Sequence, residues 1–99
     1  MYKQSIRVMV NGYEMELYTI GYAAKLLSRS VETLRAWERA LIIPKPMFKY
    51  KNNVRLYHPL EVAAMKKILR KKKLTRDELR TQLWEVLAAV RKDILEQQG

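Results

Sequence analysis

In this 99-residue sequence, the residues whose type and spacing best suit the binding of an anionic ligand are two arginines. Arg35 and Arg39 are four residues apart, so an α-helix would present both on the same side, with the small residue Ala36 between them. Guanidinium groups hydrogen-bond base edges and phosphates, and a helix with long cationic side chains around a short one can enter a major groove. Many soluble helices carry such charges merely as a solvated face, so the neighbouring segments must decide between the two interpretations.

The arginines lie on the second of two short predicted helices. The first is predicted over residues 20–27 and the second over residues 31–41, with a turn at residues 28–30. Ser30 can cap the start of the second helix, and Pro44 prevents its continuation. Helical periodicity gives this helix a core side of Leu34, Trp37 and Leu41 and an outer side of Glu32, Arg35, Ala36 and Arg39.

A basic β-hairpin, the wing, is predicted to follow at residues 46–57. Alternating runs at 47–51 and 54–57 surround Asn52 and Asn53, and asparagine tolerates the left-handed backbone of a tight turn. Lys49, Lys51 and Arg55 would reach phosphates or a minor groove, with Tyr50 and Asn52 near the tip. The alternative is an ordinary solvated hairpin.

Four segments resemble the MerR-type winged helix-turn-helix domain, which excisionase-type phage proteins share. They read TIGYAAKLL at 19–27, SVETLRAWER at 30–39, IIP at 42–44 and VRLY at 54–57. The resemblance extends over about residues 19–69. This chain departs from the family pattern at Ser28, where glycine is usual, and at His58-Pro59, which replaces the usual polar cap after the wing.

The resemblance implies that the second helix reads the major groove of double-stranded DNA while the wing contacts the flanking DNA. It also implies that Glu38 pairs with Arg55 and fixes the angle of the wing. The predicted DNA contacts are Ser30, Thr33, Arg35, Arg39, Lys49, Tyr50, Lys51, Asn52 and Arg55.

A first β-hairpin is predicted before this domain, over residues 5–19. Apolar and polar residues alternate in two runs, and Asn11-Gly12 between them suits a type I′ turn. We expect the hairpin to shield the helices or to pair with the wing. The alternative is a sheet edge that recruits a partner.

Two further helices are predicted after the wing. The third begins at His58-Pro59 and ends in a cationic run at residues 66–73, which would contact either DNA backbone or an anionic membrane surface. The fourth covers about residues 76–96 and begins at a capping box of Thr75 and Glu78.

The fourth helix has a broad apolar stripe that can pack on its own domain or against the same helix of a second chain. The resemblance favours a homodimer, because MerR-type regulators dimerise through a C-terminal antiparallel coiled coil. The predicted dimerisation residues are Leu79, Leu83, Val86, Val90 and Ile94.

The sequence predicts a mainly α fold with a small β component: a winged helix-turn-helix with an N-terminal β-hairpin and a C-terminal helix. The expected parts are a hairpin extension at 1–18, a DNA-binding domain at 19–73 and a packing or dimerisation helix at 75–97. The net charge is +10, of which residues 22–58 contribute +6 and residues 59–74 contribute +5, while the two ends are nearly balanced. Such a distribution attracts polyanions.

An enzyme is not expected, because the chain has no cysteine, no glycine-rich phosphate loop and a single histidine, His58. We expect no cofactor, no metal, no membrane segment and no small-molecule effector, and a cytoplasmic, nucleoid-associated location. The main hypothesis is a small sequence-specific double-stranded DNA-binding protein, either a transcriptional regulator or an excisionase-like architectural factor of phage or mobile-element type. The alternative is an adaptor or packaging component of a phage or protein assembly with incidental DNA affinity.

Overall fold

The structure is a computed structural model that describes residues 5–50, 54–71 and 73–98. Its helices and strands confirm a mainly α fold with a small sheet, in the arrangement of a winged helix-turn-helix. In chain order they are β1 (Ser5–Val10), β2 (Tyr13–Thr19), α1 (Ile20–Leu26), α2 (Val31–Arg39), β3 (Phe48–Tyr50), β4 (Val54–Tyr57), α3 (Pro59–Leu69) and α4 (Arg76–Gln98).

The four strands form one antiparallel sheet in the order β1-β2-β4-β3. Between β1 and β2, Asn11 and Gly12 have φ angles of 51° and 82°, which are the two positive values that a type I′ turn requires. The N-terminal hairpin is therefore confirmed. It pairs with the wing through β2 and β4, where Tyr18 lies opposite Tyr57.

Both helices of the helix-turn-helix end in a residue with left-handed backbone. Ser28 follows α1 with φ 56°, so the serine adopts the conformation for which glycine is preferred. Leu41 follows α2 with the same φ, and α2 ends at Arg39 rather than at Leu41. The placement of Leu41 on the core side of α2 was therefore wrong. This side chain has left the helix and is 41% exposed.

The larger of two hydrophobic clusters lies between the helices. Residues from α1, α2, α3 and α4 meet there, and Tyr57 joins them from β4. The buried members are Ala23, Ala24, Leu27, Leu34, Ile42, Ile43, Tyr57, Val62, Met65, Leu83 and Leu87.

The smaller cluster joins the sheet to the C-terminal half of α4. Leu17, Phe48, Leu56 and Ile94 are its buried members, and half-buried residues of β1, among them Val8, pack against them. The N-terminal hairpin thus covers both the wing strands and α4.

The apolar stripe of α4 packs within its own chain. Leu83 and Ile94 are 0% and 1% exposed, while Leu79, Val86 and Val90 pack around the edges of the two clusters. A dimer formed through Leu83 or Ile94 would require α4 to leave the domain. The homodimer itself stays a prediction, but Leu83 and Ile94 are not available as its interface while α4 is packed.

The predicted starts of α3 and α4 are confirmed by their hydrogen bonds. Nδ1 of His58 accepts from the backbone N–H of Leu60 at 3.0 Å, and Glu61 accepts from the His58 N–H at 3.0 Å. Thr75 and Glu78 exchange two bonds of 3.1 Å in the predicted capping box, and the bond from the Thr75 N–H to the Glu78 carboxylate lowers the pKa of Glu78 below its ordinary value.

Candidate nucleic-acid interface

The outer side of α2 is open to solvent at the two predicted arginines. Arg35 and Arg39 are both exposed, and within the described part of the chain the ion pair of Arg35 is a 3.5 Å contact with the exposed Glu32 one turn earlier. Such an exposed ion pair holds its partners weakly. Both guanidinium groups are therefore available to an anionic ligand.

Ser30 and Thr33 mark the N-terminal end of the same surface. The Ser30 hydroxyl caps α2 by accepting from the Thr33 N–H at 3.1 Å, and the two hydroxyls are 2.9 Å apart. These bonds fix the start of α2, where backbone N–H groups attract phosphate. The hydroxyl of Ser30 is thus engaged in the fold as well as exposed at the candidate interface.

A cationic groove of about 410 Å³ separates the end of α2 from the wing. It takes Arg39 from α2, Lys45 from the connecting segment, Lys49 from β3 and Arg55 from β4. Four cations from four segments of the chain thus line one cavity. Lys45 was absent from the predicted contacts, because the sequence pattern gave no orientation for a lysine between two prolines.

The predicted pair of Glu38 and Arg55 is confirmed. Glu38 is only 5% exposed, and its carboxylate binds the Arg55 guanidinium on one oxygen and accepts from the Tyr57 hydroxyl on the other. The side chain of Arg55 is 46% exposed, so part of the guanidinium remains accessible. Burial raises the pKa of the Tyr57 phenol well above its ordinary value, and the bond to the Glu38 carboxylate raises it further.

The wing presents Lys49 and Tyr50 to solvent, Tyr50 at 40% exposure. The other two predicted contacts at its tip, Lys51 and Asn52, lie outside the described residues, as does the predicted turn at Asn52-Asn53.

The cationic run at the end of α3 forms a second basic surface. Lys66, Lys67, Arg70, Lys71 and Lys73 are exposed, and Lys71 donates to Gln82 of α4 at 2.9 Å. Lys72 lies outside the described residues. No helix in the described ranges is long and apolar enough to cross a membrane.

An exposed arginine-bearing helix beside a cationic β-hairpin is the arrangement of a winged helix-turn-helix DNA-binding domain. Residues 18–81 match the family model described as MerR HTH family regulatory protein. The match covers more than half of the chain, which therefore belongs to the MerR family of DNA-binding helix-turn-helix regulators. Neither the comparison with curated proteins nor that with solved structures gives a match.

Proposed function

We propose that this protein is a sequence-specific double-stranded DNA-binding regulator whose α2 lies in the major groove. Arg35 and Arg39 contact base edges, and Thr33 lies near the phosphates. Lys49, Lys51 and Arg55 contact the flanking backbone or the minor groove. The observation that carries this proposal is the cationic groove, which adjoins the exposed side of α2 and draws its charges from α2, the connecting segment and the wing.

The proposal is tested by binding isotherms on a DNA duplex selected from a random library, measured at several salt concentrations. The logarithm of the affinity should fall with the logarithm of the salt concentration, by about 0.9 for each phosphate that the protein neutralises. Arg35→Ala should reduce the preference for the selected duplex over a scrambled one. Lys49→Ala should weaken both duplexes alike and make the salt slope shallower by about 1.

Lys92→Ala serves as the matched control, because Lys92 is an exposed cation two residues before the buried Ile94, so helical periodicity places it on the side of α4 opposite to the wing strands. This variant should bind as the wild type does. An affinity that is independent of salt, or a loss with Lys92→Ala as large as that with Lys49→Ala, would contradict the proposed surface.

Two biological roles fit such an interface, transcriptional regulation and excisionase-like architectural binding in phage or mobile-element recombination. An architectural factor bends its site, so a duplex with the site at its centre should migrate more slowly in a gel than one with the site at its end. A regulator instead changes transcription from a promoter that contains the site. The two measurements on the same selected sequence separate the roles.

A homodimer through the exposed flank of the apolar stripe of α4 is part of this proposal. Leu95 is 54% exposed there, so apolar surface remains for a second chain after α4 has packed on its own domain. Light scattering during size-exclusion chromatography should give the mass of a dimer for the wild type. Leu95→Glu should then give the mass of a monomer.

A second candidate function, an adaptor in a phage or protein assembly, is favoured by the exposed apolar residues of the hairpin. Met9 and Tyr13 are 67% and 51% exposed, and β1 is an edge strand of the sheet. Met9→Lys with Tyr13→Lys should abolish partner binding and leave DNA affinity unchanged if the adaptor role is correct. Truncation before Thr75 would be uninformative, because Leu83 and Leu87 belong to the core.

A further inference from the structure

The turn after α2 is held in an unfavourable backbone conformation. Leu41 has φ 56°, a value that glycine or asparagine adopts far more readily than a leucine. The backbone bonds are those of a Schellman motif, since Ile42 N–H donates to Trp37 at 2.8 Å and Leu41 N–H donates to Glu38 at 3.2 Å. The Leu41 side chain remains 41% exposed, so its own burial gives limited compensation.

A tryptophan that is distant in sequence donates a hydrogen bond to this turn. Nε1 of Trp84, on α4, donates to the carbonyl oxygen of Leu41 at 2.8 Å. Trp84 is 40% exposed and thus only partly anchored by packing, whereas its one polar group is directed at the backbone of the turn. It also lies beyond residues 18–81, the part of the chain that matches the family model.

The turn determines how the chain passes from α2 to the wing. Leu41 lines the cationic groove together with Arg39 and Lys45. Pro44 and Pro46 flank Lys45, and each proline restricts its own φ and the conformation of the residue before it. Because the two prolines stiffen this segment, the direction in which the backbone leaves Leu41 determines where the backbone of Lys45 lies relative to Arg39.

We propose that Trp84 is a positioning residue for the DNA interface, because its indole N–H holds the left-handed turn at Leu41 and thereby the cationic groove. This inference rests on the proposed DNA-binding function. Trp84 itself touches no DNA. It acts through the backbone of Leu41. Its effect on DNA affinity must therefore disappear when residue 41 adopts the left-handed conformation without the hydrogen bond from Trp84.

The test is a double-mutant cycle measured by DNA binding at a temperature where circular dichroism shows every variant to be folded. Trp84→Phe keeps an aromatic ring on α4 and removes the N–H donor. It should lower DNA affinity about fivefold, the size expected for the loss of one hydrogen bond. In the Leu41→Gly background the same change should cost less than about twofold, because glycine adopts the left-handed turn without help.

Leu41→Ala is the matched control for the loss of the leucine side chain. Alanine removes that side chain but keeps the penalty at positive φ, so Trp84→Phe should still cost about fivefold in this background. A purely structural role of Trp84 would lower the melting temperature in every background without this pattern. The cycle therefore distinguishes positioning from general stabilisation.

A second readout is independent of DNA. In nitrogen-15 spectra of the full chain, the indole N–H of Trp84 should exchange slowly with solvent despite the exposure of the ring. An unprotected indole N–H, wild-type affinity of Trp84→Phe, or an equal loss in the wild-type and Leu41→Gly backgrounds would overturn the inference. If the wild type binds no DNA duplex, the proposed function fails and this inference fails with it. If the wild type binds and Trp84→Phe binds equally well, only this inference fails.

Discussion

Two buried glutamates, Glu38 and Glu61, have similar sets of partners, but the arginines that pair with them differ in solvent exposure. They are 5% and 1% exposed, and each forms an ion pair with an arginine of another element on one carboxylate oxygen and accepts a hydrogen bond on the other. For Glu38 the ion pair is with Arg55, and the hydrogen bond comes from the Tyr57 hydroxyl. For Glu61 the partners are Arg91, at 2.7 Å, and the backbone N–H of His58.

The exposure of the two arginines separates the roles of the pairs. The side chain of Arg55 is 46% exposed and lines the cationic groove, while that of Arg91 is 19% exposed and ties α4 to the start of α3. A buried carboxylate requires a partner in either case, because an unpaired buried charge is costly. The pair of Glu61 and Arg91 therefore lies inside the fold, whereas the pair of Glu38 and Arg55 leaves its arginine half exposed beside the groove, where the proposed DNA contact would form.

The largest effect is expected from Arg91→Ala. The change leaves the Glu61 carboxylate buried with only the His58 N–H, so the free energy of unfolding should fall by about 3 kcal/mol in urea denaturation. The DNA affinity of the folded protein should be unchanged. The double variant Glu61→Gln with Arg91→Met should lose much less stability, because it removes both charges together. Reduced DNA affinity in folded Arg91→Ala would break the proposed distinction between the two pairs.

Arg55→Ala should lower both the DNA affinity and the stability of the protein. We expect DNA affinity to fall about tenfold, and the free energy of unfolding to fall by about 1 kcal/mol, because the half-exposed arginine is partly screened by solvent. Lys49→Ala, the neighbouring cation of the wing, should reduce DNA affinity without the loss of stability. Arg55 would be a structural residue alone if only stability changed.

Tyr57→Phe tests the hydroxyl that completes the Glu38 site, through its dependence on pH. Because the pKa of Tyr57 is raised, the unfolded chain loses this proton above about pH 10 while the folded chain keeps it, so alkali favours unfolding. Above that pH the wild type should lose about 1.4 kcal/mol of stability per pH unit more than Tyr57→Phe does. Parallel stability curves for the two proteins would contradict the raised pKa.

The smallest effect is expected at His58, next to Glu61. Burial lowers the pKa of His58, and its neutral Nδ1 accepts from Leu60, so the cap is present above the ordinary pKa and is lost as the pH falls through the folded value. Loss of a cap costs about 1 kcal/mol. His58→Asn keeps an acceptor that does not titrate. As the pH falls below the ordinary pKa of 6.5, the wild type should therefore lose stability relative to this variant in thermal unfolding.

The sequence predicted those parts of the fold that short-range chemistry determines. The turn at Asn11-Gly12, the cap at Ser30 and the capping box at Thr75 and Glu78 each involve residues that are at most three positions apart, and the structure confirms all of them. The exposed arginines of α2 follow from helical periodicity in the same way.

Contacts between segments that are distant in the sequence were harder to predict. An apolar stripe indicates that one side of α4 is buried, but not which residues cover it. Nothing in the neighbouring sequence showed that Leu83 and Ile94 pack within their own chain. The burial of Glu61 beside Arg91 and the bond from Trp84 to Leu41 also depend on the folded chain. The pair of Glu38 and Arg55 was predicted only because a family resemblance supplied the long-range information.

The shared cluster of Leu17 and Ile94 also constrains the order of folding during synthesis. The hairpin precedes α1, α2, the wing and α3 in the chain, and the α4 residues that cover its inner side are synthesised after all of these elements. An isolated two-stranded hairpin is only marginally stable in water. The apolar side of the hairpin is thus sheltered only after α4 has been synthesised, later than the helix-turn-helix that lies between them in the chain.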